Sequence, residues 1–293
     1  MATFIPDSEL ILNNDGSVFH LHLHPEDIAD YVILVGDPDR AALVSSFFSK
    51  IEVTAQNREF RTFTGLYNGQ RVTVTSTGIG TDNIDIVVNE LDSAVNIDLK
   101  TRTIKEQKRK LNLIRIGTSG ALQADIPVGT PVISDMAIGF DGMLNFYRDR
   151  PKVSDDRIEA AFKKHMNWNP LLTSPYFVRC SGDLIDRIGF DMRHGMTISA
   201  PGFYGPQGRV LRLPLQDADI NDKITAFEYE GHKITNYEME CSAIYGLGAL
   251  LGHNTVTVCS IIANRLSKAA TTGYKGSIEN LIETVLDRIS GKA

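Results

Sequence analysis

A chain of 293 residues with 42% hydrophobic and 23% charged residues has a globular composition and can bury a sizeable core. Its net charge of −6 argues against nucleic acid or an acidic membrane as a partner, yet leaves room for one basic pocket that takes a small anion. Its three cysteines, Cys180, Cys241 and Cys259, suggest neither a disulfide framework nor a zinc knuckle, and without a signal-like start or a bilayer-length apolar run the expected location is the cytoplasm.

Apolar runs alternate with helical patterns along the chain. Tyr31–Val35 reads as a strand ending in Gly36-Asp37-Pro38, followed by a helix near Asp39–Phe48. Arg71–Thr77 alternates as one arm of a hairpin, because Asn68-Gly69 suits a type I′ turn. From Asn83 onward, Ile84, Val87, Val88, Leu91 and Val95 share one helical face. Strands are expected at Leu111–Ile116, Thr130–Phe140, Met196–Ala200, Ile234–Tyr237 and Thr255–Ile262, and helices at Asp155–Lys164, Cys241–Leu251 and Ser277–Ile289. Such alternation predicts an α/β fold with a central sheet and helices outside it, in a single domain over residues 1–293. Lys100–Lys110 (KTRTIKEQKRK) has no apolar face and reads as a solvated surface insertion.

Three strands end in glycine corners: Gly36-Asp37-Pro38-Asp39-Arg40, Ser76-Thr77-Gly78-Ile79-Gly80 and Arg115-Ile116-Gly117-Thr118-Ser119-Gly120. Ligands of open α/β sheets sit at such carboxyl ends. Glycine lets backbone N–H groups approach an oxyanion, and arginine adds charge and forked donors, so the set suggests a phosphate site. Neither a P-loop nor a dinucleotide fingerprint is present. Asn236-Tyr237-Glu238-Met239-Glu240 offers carboxylates that could accept from sugar hydroxyls, or simply acids at a helix start. His20, His22 and His24 would share a face if extended, a spacing that could suit a metal, although one histidine serving an active site is the better reading. Gly202-Phe203-Tyr204-Gly205-Pro206-Gln207-Gly208-Arg209 is a glycine-rich loop with two aromatics, an amide and a guanidinium. No nucleophile–base pair stands out.

The stretches VFHLHL, VGDPDR, NREF, STGIG, RIGTSG, FYGPQGR, NYEME and IIANR together resemble the nucleoside phosphorylase-I family, over nearly the whole chain. Phe203 with Gln207 and Arg209 points to the branch that cleaves uridine. The resemblance implies a mixed, barrel-like twisted sheet and phosphorolysis, in which inorganic phosphate attacks the nucleoside to give ribose 1-phosphate and free base. It implies phosphate binding by Gly36, Arg40, Arg115 and Thr118, with Arg58 arriving from a neighbouring subunit. His20 would likewise cross over to the ribose 5′-hydroxyl, and Glu238, Met239 and Glu240 would hold the ribose. Phe203, Gln207 and Arg209 would hold the base, with Ile262 and Ala263 behind it. Arg209, Arg115 and Glu240 form the expected catalytic set. No cofactor is required.

The pattern departs from the family at one place. A serine that helps hold a potassium ion between subunits in many relatives is replaced by Asn83, while Glu59 and Ile79 match the other ligands of that monovalent cation. A dimer and a hexamer both agree with the resemblance. Alternatives within the family are a purine nucleoside phosphorylase, whose base-protonating aspartate is missing from Ile261–Arg265, and a nucleosidase, whose water needs no arginine cluster. A non-catalytic nucleoside-binding protein is the alternative outside it.

Overall fold

A computed structural model describes residues 4–291. In chain order these residues form β1 (Tyr31–Val35), α1 (Pro38–Ser45), β2 (Lys50–Asn57), β3 (Phe60–Tyr67), β4 (Gln70–Ser76) and α2 (Thr81–Asn96). A small hairpin of β5 (Ile97–Asp98) and β6 (Thr103–Ile104) leads to β7 (Asn112–Ala121) and β8 (Pro131–Gly139). There follow α3 (Asp156–Met166), β9 (Tyr176–Arg179), α4 (Gly182–Ile188), β10 (Arg193–Ser199), α5 (Ile220–Ala226) and β11 (Glu228–Tyr229). The chain ends with β12 (His232–Glu238), α6 (Cys241–Leu251), β13 (Asn254–Asn264), β14 (Ala269–Ala270) and α7 (Lys275–Ser290).

The main sheet runs β12-β10-β8-β13-β7-β1-β4-β3-β2. Strand β12 turns back to pair antiparallel with β7, Asn236 opposite Ala121 and Tyr237 opposite Gly120. Strands β7, β13, β8, β10 and β12 therefore close into a ring, and β1, β4, β3 and β2 extend from it. This is the mixed, barrel-like sheet that was expected. Helices α2 and α6 bury their apolar faces on one side; α1, α4 and α7 cover another. The predicted stripe of α2 is buried in full, each such side chain contributing about 2 kcal/mol.

Register brings the glycine corners together. β1 lies between β4 and β7, all parallel, with Val35 opposite Ser76 and Leu34 opposite Arg115. The three carboxyl ends are thus neighbours. The turn between β3 and β4 has positive φ at both Asn68 (47°) and Gly69 (81°), as a type I′ hairpin requires.

The sequence reading implied β3 only as the other arm of the hairpin, and did not identify β2, β9, α4 or α5. Strand β2 lies at the sheet edge with most of its side chains exposed; the alternation of Ile51, Val53 and Ala55 with polar residues marks it in the sequence but was not used. Two other readings need correction. Residues 20–24 are not a strand; His22 has φ of 53°, and the three histidines do not share a face. Nor is Lys100–Lys110 wholly solvated. Arg102 Nε donates to the Ile5 carbonyl at 2.9 Å, and Lys105 Nζ to Val95 at the end of α2 at 2.9 Å. Arg109 reaches Asp30 at 2.7 Å and the Ile28 carbonyl at 2.6 Å. A segment with no apolar face is held by cationic heads that satisfy carbonyl groups, which a hydrophobic pattern does not reveal.

Candidate active site

A cavity of about 930 Å³ opens where the ends of β1, β4, β7 and β13 meet the loop after β10. At its inner end lie Gly36, Arg40, Arg115 and Thr118, the expected phosphate set. The Asp37 side chain caps α1 by accepting from Asp39 N at 2.9 Å, which fixes the turn that carries Arg40. Among the described residues the Arg40 guanidinium has no hydrogen-bond or ion-pair partner. Burial, and then the charge of Arg115, hold its basicity below the usual arginine value. An unpaired, partly desolvated cation facing a second cation is an arrangement that an anion would relieve.

Arg115 is buried on β7. Its Nε donates to Glu238 Oε2 at 3.1 Å and its Nη2 donates to Glu240 Oε2. Burial alone would weaken its basicity; Glu240 and Glu238 overcome that and raise it. Its third nitrogen, Nη1, has no partner among the described residues. The side chain is therefore held by two carboxylates while one donor stays free.

Those two carboxylates differ in their surroundings. Glu238 accepts from the Ser199 hydroxyl, from Glu240 N and Cys241 N at 2.9 Å, and from Arg115. It caps the start of α6 and is saturated by its neighbours. Burial raises its pKa; Arg115 opposes the rise and Glu240 adds to it, leaving the net shift upward. Glu240 accepts from Arg115 and, at 2.8 Å, from Gly80 N. Gly78 (φ 70°) and Gly80 (φ 101°) take the left-handed backbone that brings this N–H to the carboxylate. Met239 lies between the two acids on the cavity wall. Of the expected ribose residues on this wall, Glu240 retains acceptor capacity, and Glu238 is the one already spent on orienting Arg115.

The outer end is lined by Phe203, Gln207, Arg209, Ile262 and Ala263, the expected base residues. The Arg209 guanidinium lies 3.6 Å from the Phe203 ring centroid. Its basicity is pushed down to about 10 by burial and then by Arg265. Gln207 is 3% exposed. Its Oε1 accepts from Arg209 at 2.8 Å and from Arg265 at 2.9 Å. A guanidinium only donates, so the amide orientation is set and Nε2 faces away as a donor. The reading in which Gln207 Oε1 waits free for a base N–H is thereby revised: that oxygen is already shared by two arginines.

Arg265 was not singled out from the sequence, though it directly follows Asn264 at the end of β13. Tyr237 was also missed; it lines the cavity, and its buried hydroxyl has no partner among the described residues. Burial raises its pKa. Asn264 belongs to the stretch Ile261–Arg265, where the purine branch was expected to carry an aspartate and this chain has no acid. Its amide donates to the Gln123 and Ile126 carbonyls at 2.9 and 2.8 Å, and its oxygen accepts from Leu266 N and Ser267 N. No carboxylate among the described lining residues lies at the base end.

Arg58 and His20 do not line this cavity. Arg58 is exposed at the turn between β2 and β3 with φ of 53°. His20 is held by Glu90 at 2.5 Å. Asn57, the neighbour of Arg58 in sequence, donates to the His20 carbonyl at 2.9 Å, so both expected visitors sit on one edge of the chain. Glu59 and Asn83 do come together, with Asn83 Nδ2 donating to Glu59 Oε1 at 3.2 Å. Gly78 has no room for a side chain against that amide, 2.3 Å from a would-be Cβ. In this arrangement Asn83 turns its N–H, and not its oxygen, to the Glu59 carboxylate, so Glu59, Ile79 and Asn83 do not present a ready ligand set for the potassium ion unless the amide turns over.

A buried arginine braced by two acids beside an unpaired arginine, opening onto an aromatic–amide–guanidinium wall, defines a pocket for an anion together with a polar, flat ligand. The Phosphorylase superfamily model matches residues 30–289, and the chain belongs to that superfamily. It is 32% identical over 255 residues to a uridine phosphorylase of Treponema pallidum, covering 86% of this chain and 84% of that protein. It is 26% identical over 271 residues to a DeoD-type purine nucleoside phosphorylase of Listeria monocytogenes, covering 92% and 95%. Its fold is similar to that of a Trypanosoma brucei nucleoside phosphorylase described as showing uridine phosphorylase activity, with TM-score 0.87, 26% identity, and 96% and 99% of the two chains covered.

Proposed function

We propose that this chain cleaves uridine with inorganic phosphate, giving uracil and ribose 1-phosphate. The observation that carries the reading is the pair Arg40 and Arg115. Among the described residues the first has no partner, and the second has one free donor while two acids hold the rest of it. Phosphate would take both free donors together with Gly36 and Thr118. Glu240 would accept from the ribose hydroxyls. Bound between them, phosphate would face the anomeric carbon and serve as the nucleophile, with no covalent enzyme intermediate.

As the glycosidic bond breaks, the sugar becomes cation-like and the base anionic. Arg209, Arg265 and the Gln207 amide N–H face the base end, and donors aimed at developing negative charge stabilise the transition state. Removing one such donor costs on the order of a hundredfold or more in rate. The purine reading lacks an acid at that end, because Ile261–Arg265 contains no carboxylate. Arg58 and His20 lie outside the chain's own cavity, which supports a site completed by a neighbouring copy.

The test is incubation with uridine, thymidine, cytidine and inosine, with and without phosphate, followed by detection of ribose 1-phosphate. Cleavage of uridine only with phosphate supports the reading. Cleavage of inosine in preference to uridine moves the chain to the purine branch, and cleavage without phosphate makes it a nucleosidase.

A further inference from the structure

The residues that hold His20 form an arrangement that the chain's own pocket does not use. Glu90, on α2, accepts from His20 Nδ1 at 2.5 Å, from His20 N at 2.9 and 3.0 Å, and from Leu21 N at 2.9 Å. One carboxylate thus fixes both the backbone and the ring of the loop. Because Nδ1 gives its hydrogen to Glu90, a neutral ring has its lone pair on Nε2. Among the described residues Nε2 has no partner. The ring edge rests on Phe60, with centroids 6.3 Å apart and planes at 78°. Asn57 holds the His20 carbonyl, next to Arg58, whose guanidinium also has no partner among the described residues.

A histidine with one nitrogen anchored by a carboxylate and the other free, on an edge away from its own cavity, is a prepared acceptor aimed at another molecule. The family resemblance already implies that His20 reaches the ribose 5′-hydroxyl of a nucleoside bound by a neighbouring copy; we infer that Glu90 is the positioning residue that sets the His20 tautomer for that contact, leaving Nε2 as the acceptor. This rests on the reading of the pocket as a uridine site. The chemistry follows from the ring: a hydroxyl donates to an imidazole nitrogen only when that nitrogen carries no hydrogen. Without Glu90 the ring is free to rotate and to exchange tautomers, and the acceptor is lost along with the aim.

The test compares kcat/KM for uridine and for 5′-deoxyuridine, both with phosphate, in the wild type, Glu90→Gln, His20→Ala and the double variant. Glutamine keeps an oxygen for the backbone N–H groups, so the loop stays folded; a thermal melt within about 2 °C of wild type checks this. The expected result is a fall of about tenfold for uridine in each single variant, with 5′-deoxyuridine unchanged within about twofold. The double variant should fall no further than His20→Ala, because the two residues act as a unit. Equal losses on both substrates would mark Glu90 as merely structural and overturn the inference. So would an unchanged uridine rate, or additive losses in the double variant. A wild type that cleaves neither pyrimidine nucleoside would overturn the substrate reading, and this inference with it. Wild-type cleavage combined with insensitivity of Glu90→Gln would overturn this inference alone.

Discussion

Replacing Arg40 with glutamine separates affinity for phosphate from stability of the empty protein. Arg40 has no partner among the described residues and faces the positive Arg115, so the ligand-free state gains nothing from its charge. Arg40→Gln should leave the melting temperature without phosphate unchanged or slightly raised. A hydrogen bond to a charged group contributes about 1.5–3 kcal/mol, so phosphate should bind roughly ten- to a hundredfold more weakly. At a phosphate concentration about 100 times its wild-type dissociation constant, binding stabilises the folded state by about 2.7 kcal/mol. A thirtyfold loss of affinity reduces that to about 1 kcal/mol by the same relation. In a chain of this size, 1 kcal/mol corresponds to about 2–4 °C. The phosphate-induced rise in melting temperature should therefore drop from roughly 5–10 °C to roughly 2–4 °C. Thermal melts with and without phosphate, alongside the KM for phosphate, measure both quantities. A variant that melts several degrees lower without phosphate, or keeps its phosphate response, refutes the assignment.

Other perturbations test other parts of the site. Arg209→Ala should abolish most of the uridine turnover, by about a hundredfold or more, with stability changed by less than about 0.5 kcal/mol because the residue sits on a surface loop; circular dichroism melts and initial rates decide it. Arg115→Met should cost about 3–5 kcal/mol in a denaturant titration, since two buried carboxylates lose their cation. The pKa of Glu238 is raised in the folded state, so its contribution to stability is complete below the ordinary carboxylate range and is lost as pH rises through the raised value. Melting temperatures across roughly pH 5 to 8 should therefore decline less in Glu238→Gln than in wild type; parallel declines would contradict the shift. Mixed oligomers of Arg209→Ala and His20→Ala chains should cleave uridine faster than the sum of the two separate variants, because an intact pocket then meets an intact His20. No gain on mixing would mean that the site is not shared.

That Gly36, Arg40, Arg115 and Thr118 would meet in one pocket was legible in the sequence. A single glycine corner reads as a tight strand-to-helix turn; it was the arginines at two such corners, one of them inside an apolar strand where it must find partners once buried, that pointed to a site. The order of strands then had only to place β1 between β4 and β7 for the corners to meet. The base end was less legible. Phe203, Gln207 and Arg209 stood out as a loop, but the sharing of Gln207 Oε1 by Arg209 and Arg265 depends on contact across 58 positions. No local pattern carries that information. The same holds for Asn83 and Glu59, 24 positions apart, whose contact changes the donor set for a cation. The role of Lys100–Lys110 escaped for a different reason: its arginines act on backbone carbonyls, which leave no mark in a count of charged residues. Edge strand β2 does alternate, with Ile51, Val53 and Ala55 between polar residues, and could have been read from that period.

The central claim is that phosphate, held by Arg40 and Arg115, attacks the sugar in place of water. The most direct measurement is the reaction of uridine with phosphate in water enriched in oxygen-18, with the sugar product analysed by mass spectrometry. The account predicts ribose 1-phosphate without solvent oxygen, and no sugar product when phosphate is omitted. Free ribose that carries the label, formed at the same rate without phosphate, would contradict it.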